Sequence, residues 1–233
     1  MSSTVAAANL TPAQLAPYIQ HTKIEVGSTR QEMIAHVEDA VKYGFSAAMV
    51  AGSWVPLTAS ILKGTGIEVA SALDFPTVGV MTSAGKAAEA AELVRLGATQ
   101  IDIGVQIGWL KSGMYDEFRE DIAGVVRAAG VPIKVMLELP LLTAEEKELA
   151  VQLSMEAGVA YLKNASSGQI ETANAASVRY LVERAKRGVL VKASGSIKHL
   201  AQARELIAAG ASLLGTSAGI EIISDTSGAE TKS

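Results

Sequence analysis

Hydrophobic positions in this chain come in short unbroken runs instead of alternating with polar ones. Seven runs each follow a helix-like stretch and a glycine: "YGFSAAMV", "TGIEVASALDF", "LGATQIDIGV", "AGVPIKVML", "AGVAYLKN", "RGVLVKAS" and "AGASLLGT". Continuous apolar runs are expected of strands covered on both faces in a parallel sheet. The glycines are Gly44, Gly66, Gly97, Gly130, Gly158, Gly188 and Gly210. A glycine just past a helix end closes the last turn in the left-handed conformation without a Cβ penalty. The intervening stretches carry helix-start signals. Ser28 and Thr29 precede Gln31 and Glu32, Thr82 or Ser83 opens "TSAGKAAEAAELVRL", and Thr143 lies three residues before Glu146. The last of these is a capping box.

An early strand, "YIQHTKI", around residues 18–24, raises the number of predicted strands to eight. Their spacing is roughly 20 to 32 residues, the length of one βα unit. No Gly-rich dinucleotide fingerprint follows the first strand, which argues against an open doubly wound sheet. No linker or composition shift divides the chain. The expectation is a single-domain (β/α)8 TIM barrel over residues 1–233, with flexible termini at 1–12 and 224–233.

Composition narrows the functional classes. Of 233 residues, 49% are hydrophobic and only 19% charged, and the mean hydropathy is +0.28. No apolar run reaches the roughly 18 to 20 residues that span a bilayer, so the hydrophobicity is assigned to a large core and not to a membrane. A net charge of −4 with no basic block argues against nucleic acid as a partner. With no cysteines, neither disulfides nor thiolate chemistry is in play. The N-terminal stretch lacks the features of a signal peptide, so the expected location is the cytoplasm. The apolar content also points to a homodimer.

In a barrel of this kind, functional residues sit at the C-terminal ends of the strands. The polar residues there are few. They are His21, Thr22 and Lys23 on strand one, Asp74 on strand three, and Asp102 and Gln106 on strand four. Lys134 and Glu138 follow on strand five, then Lys163 and Asn164, then Lys192 and Ser194, and Gly215, Thr216 and Ser217 close strand eight. Lys163 and Lys192 are one repeat apart and so occupy equivalent places on adjacent strands, about 4.8 Å apart. Two ammonium groups that close, and partly buried, are expected to leave at least one amine with a depressed pKa. A neutral amine is what Schiff-base chemistry needs: it attacks a carbonyl, and the protonated imine then acts as an electron sink. Asp102 could carry protons, with Lys134 in support. The alternative is a purely structural ion-pair cluster.

The small residues of "ASGSIK" and "LLGTSAG" would expose backbone N–H groups at helix starts, a setting for the phosphate of a phosphorylated substrate. Three histidines, His21, His36 and His199, with no ligand-like spacing, give no metal site. His36 and His199 read as packing or surface residues, and His21 as a core histidine.

At these motifs the sequence resembles the deoxyribose-phosphate aldolases, class I aldolases with a (β/α)8 barrel, from about Leu15 to Ile222. "VKASGSIK" is similar to the family's V-K-A-S-G-G-I-R, "YLKNASSG" to F-V-K-T-S-T-G, and "IKVMLEL" to L-K-V-I-L-E-T. "IDIGVQIG", "ALDFPTVG" and "IQHTKI" also have family counterparts. The resemblance implies that Lys163 forms the Schiff base, that Lys192 is the second lysine tuning it, and that Asp102 joins the proton relay. It further implies substrate contacts at Thr22, Gln106, Lys134 and Gly168, and at Gly195, Ser196, Gly215, Thr216 and Ser217 around the phosphate. Implied too are cleavage of 2-deoxy-D-ribose 5-phosphate and no metal or organic cofactor. Departures are Gln20 for the family's aspartate, Gln106 for its asparagine, Asn164 for the threonine after the Schiff-base lysine, Ser196 for a glycine and Lys198 for an arginine. The tail also lacks the tyrosine with which several members end. An aldolase acting on another sugar phosphate and a non-catalytic phosphometabolite-binding barrel are the alternatives.

Overall fold

The computed structural model describes residues 10–225. Eight parallel strands close on themselves in chain order. They are β1 Ile19–Lys23, β2 Ala47–Val50, β3 Glu68–Leu73, β4 Gln100–Gly104, β5 Ile133–Met136, β6 Tyr161–Lys163, β7 Leu190–Ser194 and β8 Leu213–Thr216. Closure comes from β1 pairing with β8, Ile19 opposite Leu214. All eight expected strands form, and the TIM barrel is the fold.

The helices are α1 Pro12–Leu15, α2 Arg30–Tyr43, α3 Val55–Leu62, α4 Ser83–Arg95, α5 Ile107–Lys111, α6 Tyr115–Ala129, α7 Ala144–Glu156, α8 Ala175–Arg184, α9 Leu200–Ala208 and α10 Gly219–Ser224. Their starts follow the sequence signals. Thr29 and Glu32 form a capping box on α2, Thr143 and Glu146 one on α7, and Thr82 caps α4. All seven strand-leading glycines have positive φ, and Gly44 at φ 68° closes α2 in the left-handed region. Thr11 caps α1 and Ser224 ends α10, so structure reaches into both predicted termini. Residues 1–9 and 226–233 of those termini lie outside the described residues.

Successive strand residues point to opposite faces, so strand parity sorts the barrel. Ile101 and Ile103, Ile133 and Val135, Leu162, and Val191 and Ala193 belong to the core between strands and helices. Their neighbours Asp102, Lys134, Lys163 and Lys192 therefore turn into the lumen. On β2 and β3 the lumen is filled instead by Ala47, Met49 and Ala70, which form a separate small apolar cluster. One side of the barrel interior is thus small and apolar, and the other is charged.

Candidate active site

The register places Asp102 opposite Lys134 and Lys163 opposite Lys192. Four charged side chains meet inside the barrel. Lys192 Nζ lies 2.7 Å from Asp102 Oδ2 and Lys163 Nζ 3.0 Å from the same oxygen, while Lys134 Nζ lies 3.2 Å from Oδ1. Lys192 also donates to Gln20 Oε1 at 2.5 Å.

Burial dominates the electrostatics. For Asp102 it would raise the carboxyl pKa, but Lys192, Lys163 and Lys134 overcome it and hold the group well below the usual carboxylate range. For Lys192 burial pushes the amine well below its ordinary value; Lys163 and Lys134 add to this, and Asp102 opposes it. Lys134 is lowered too, chiefly by burial. One carboxylate is shared by three amines, and desolvation disfavours the charged forms of Lys192 and Lys134. Of the adjacent pair Lys163 and Lys192, the amine that burial pushes down is Lys192.

A cavity of about 290 Å³ opens above this cluster at the C-terminal ends of the strands. Lys163 and Lys192 both line it, and Lys163 is the more accessible, its side chain 7% exposed against 1% for Lys192 and 0% for Lys134. Of the predicted contacts, Gly195, Ser196, Gly215, Thr216 and Ser217 line the cavity's β7–β8 corner, and Gly168 and Thr22 line its walls. Two glycines there are sterically required. A Cβ on Gly195 would lie 2.0 Å from Glu171 O, and one on Gly168 would lie 2.0 Å from Ser196 Oγ. Ser196 itself sits at φ 49°, in the left-handed region that the family's glycine adopts without strain. A Cβ on Gly215 would come within 3.0 Å of Lys192 Cε, so this glycine makes room for the lysine stem as well as lining the cavity. The Thr216 hydroxyl is committed within the protein, donating to Ile197 O at 2.6 Å and accepting the Ala218 N–H.

Two predicted contacts lie away from the cavity lining. Gln106 follows the end of β4, turned toward the loop before α4, where its Nε2 donates to Met81 O at 2.8 Å. Lys134 is two residues short of the Met136 that pairs with Lys163, so its amine stops below Asp102. Among the polar strand-end candidates, His21 points out of the lumen and stacks on His36 at 4.3 Å. Asp74 accepts the N–H groups of Gly79, Val80 and Met81 and organises that loop.

Other residues of the site were not singled out as substrate contacts. Lys198 lines the cavity beside Ser196, and the sequence signal was its place where the related motif has arginine. Met49, Phe75 and Met136 supply an apolar wall that no motif announced. Asn164 sutures the ends of β6 and β7: its Nδ2 donates to Ser194 O at 3.0 Å and its Oδ1 accepts Ser194 N–H at 2.9 Å. Glu138, buried at φ 51°, accepts the Ser166 N–H at 2.8 Å, and burial pushes its carboxyl up.

No family model matches the chain. A protein from Thermosynechococcus vestitus named deoxyribose-phosphate aldolase is 40% identical over 209 residues, covering 90% of this chain and 95% of its own. The chain belongs to the deoxyribose-phosphate aldolase family. A family member from Methanothermobacter thermautotrophicus is 41% identical over 214 residues, 91% of this chain and 95% of that protein. Among solved structures, the deoxyribose phosphate aldolase from Aeropyrum pernix superposes with a TM-score of 0.86 at 26% identity, covering 95% of this chain and 96% of its own. Its title describes a tetramer. A structure titled "QR15, an Aldolase" has a TM-score of 0.84 at 32% identity, covering 90% of this chain and 94% of its own.

Proposed function

We propose that the protein is a class I aldolase that reversibly cleaves 2-deoxy-D-ribose 5-phosphate to acetaldehyde and glyceraldehyde 3-phosphate, with Lys163 as its nucleophile. The observation that carries this reading is the place of Lys163: the most accessible of the three clustered lysines, it lines the cavity and is hydrogen-bonded to a buried carboxylate that two deeper lysines share. Family membership supplies the substrate.

The open-chain aldehyde accepts the Lys163 amine at C1. Loss of water leaves an iminium, which draws electrons from the C2–C3 bond as the C3 hydroxyl gives up its proton. That bond breaks, glyceraldehyde 3-phosphate departs, and an enamine stays on Lys163. Protonation at C2 and hydrolysis release acetaldehyde and restore the amine. Lys192 and Asp102, 2.7 Å apart, are the groups suited to receive and return the proton. The backbone N–H groups around Gly195, Ser196, Gly215 and Ser217, with Lys198, suit the phosphate.

The test is incubation with acetaldehyde and borohydride followed by mass spectrometry. A two-carbon adduct on Lys163 is expected, and wild-type protein without one overturns the reading. Cleavage assays across several sugar phosphates then rank deoxyribose phosphate against its competitors. No described helix is long and apolar enough to cross a membrane. A cytoplasmic location and a homodimer complete the proposal, the latter checked by light scattering.

A further inference from the structure

The amine of Lys192 has two acceptors, and only one is charged. On one side is Asp102 Oδ2 at 2.7 Å, on the other Gln20 Oε1 at 2.5 Å. Gln20 is fully buried, and its Nε2 donates to Gln100 Oε1 at 2.5 Å. Gln100, also buried, donates its own Nε2 to the carboxylate of Glu68, an exposed residue at the start of β3. A line of hydrogen bonds thus runs down the lumen from Lys192 to the N-terminal end of the barrel.

This line has a direction. A carboxamide carries an acceptor on one end and donors on the other, and nothing in its shape says which way round it sits. A carboxylate only accepts, so Glu68 draws the NH2 of Gln100 and turns the Gln100 oxygen toward Gln20. That oxygen draws the Gln20 NH2 and turns the Gln20 oxygen toward Lys192. Reversing either amide would place donor against donor at one end of the line.

Charge is the second consideration. Lys192 is faced by Asp102 from β4, Lys163 from β6, Lys134 from β5 and Gln20 from β1. With a neutral residue at position 20, Asp102 is, among the described residues, the one carboxylate at ion-pair distance from these three lysines. A second carboxylate at Gln20 would favour the charged form of the amine it touches.

We propose that Gln20 is a positioning residue that seats the Lys192 amine beside Asp102 and Lys163 through a neutral acceptor, and that Glu68, acting through Gln100, fixes which end of the Gln20 carboxamide faces the lysine. The inference rests on Lys163 being the Schiff-base nucleophile, because the geometry it controls is that nucleophile's neighbour.

The experiment compares Gln20→Glu, Glu68→Ala and Glu68→Gln with wild type in pH–rate profiles, kcat and KM, with borohydride trapping on each. Gln20→Glu adds a negative charge against Lys192 and is expected to move the profile alkaline by about one unit, a roughly tenfold loss of active fraction on the acidic limb. Glu68→Ala frees both amides to turn; it is expected to lower kcat severalfold with KM unchanged. Glu68 is exposed at the far end of the barrel, so this variant tests the idea even if Gln20→Glu folds poorly. Glu68→Gln offers Gln100 either end of its own amide, so it is expected to recover kcat only in part, between Glu68→Ala and wild type. An unmoved profile in folded Gln20→Glu, or wild-type kcat in Glu68→Ala, overturns the proposal while trapping at Lys163 leaves the aldolase reading intact. Wild-type protein that traps no adduct overturns the underlying reading instead.

Discussion

The protein buries lysines in two places, and their charge balance is opposite. Lys86 on α4 is fully buried between Asp121 at 2.7 Å, Asp74 at 3.1 Å and the Gly104 carbonyl at 2.9 Å. One ammonium there meets two carboxylates and a carbonyl, outside the lumen. In the lumen, three amines compete for one aspartate, and Lys134 Nζ makes the longest of the three contacts, 3.2 Å to Asp102 Oδ1. The first arrangement is a staple that ties α4 and α6 to the ends of β3 and β4. The second keeps amines short of negative charge, which disfavours the charged forms of Lys192 and Lys134. A buried lysine alone is therefore ambiguous between structure and catalysis; the number of carboxylates around it separates the two.

That contrast can be broken experimentally. Lys163→Ala should abolish turnover and borohydride trapping while circular dichroism stays native, since the lost amine is the most accessible of the three. Lys86→Met should act in the reverse way, leaving two buried carboxylates without their cation. A stability loss of about 3–5 kcal/mol is expected in chemical denaturation, because removing one partner strands the other charges. Lys192→Leu should move the pH–rate profile alkaline: with one cation fewer beside Asp102, the surviving amines hold their protons more firmly. An unchanged profile would count against a tuning role for Lys192.

The smaller effects sharpen the comparison. Lys134→Met is expected to cost less than Lys86→Met, because Asp102 keeps Lys163 and Lys192 as partners when the third amine is removed. A loss as large as that of Lys86→Met would erase the distinction between the clusters. The smallest effect at neutral pH belongs to the stacked pair His21 and His36. Burial, then the neighbouring His21, holds the His36 pKa down to about 3 from 6.5. Its folded-state pKa lies below the unfolded one, so the stability it contributes is present above pH 6.5 and is lost as pH falls toward 3. His36→Phe should leave activity at pH 7 near wild type and flatten the decline of melting temperature between pH 6.5 and 4.

Much of this was legible in the chain. Seven glycine-led apolar runs and the early run at residues 18–24 yielded eight strands, Thr29 and Thr143 marked helix starts, and Lys163 and Lys192 one repeat apart proved to be register partners. The corner formed by Gly195, Ser196, Gly215 and Ser217 also lies where the motifs put it. Gln106 and Lys134 stand outside the cavity lining, because closeness to a strand end does not say which way, or how far, a side chain reaches. Gln20, Gln100 and Glu68 stand 32 or more positions apart, and no local pattern joins them. Lys86 and Asp121 look like ordinary charges on helix faces and become buried only because α4 and α6 pack together over β4.

The sequence by itself determined the number of βα units, the places where helices begin and end, and the residue types available to the strand tips. Those features depend on backbone preferences and on hydrophobic runs that act over a few residues. Tertiary structure alone decided that Asp102 stands among three amines, that Lys163 is the most accessible of them, and that Glu68 reaches Lys192 through two carboxamides. Closing the barrel brings residues dozens to more than a hundred positions apart into one low-dielectric space, and the energies that set their protonation belong to that space.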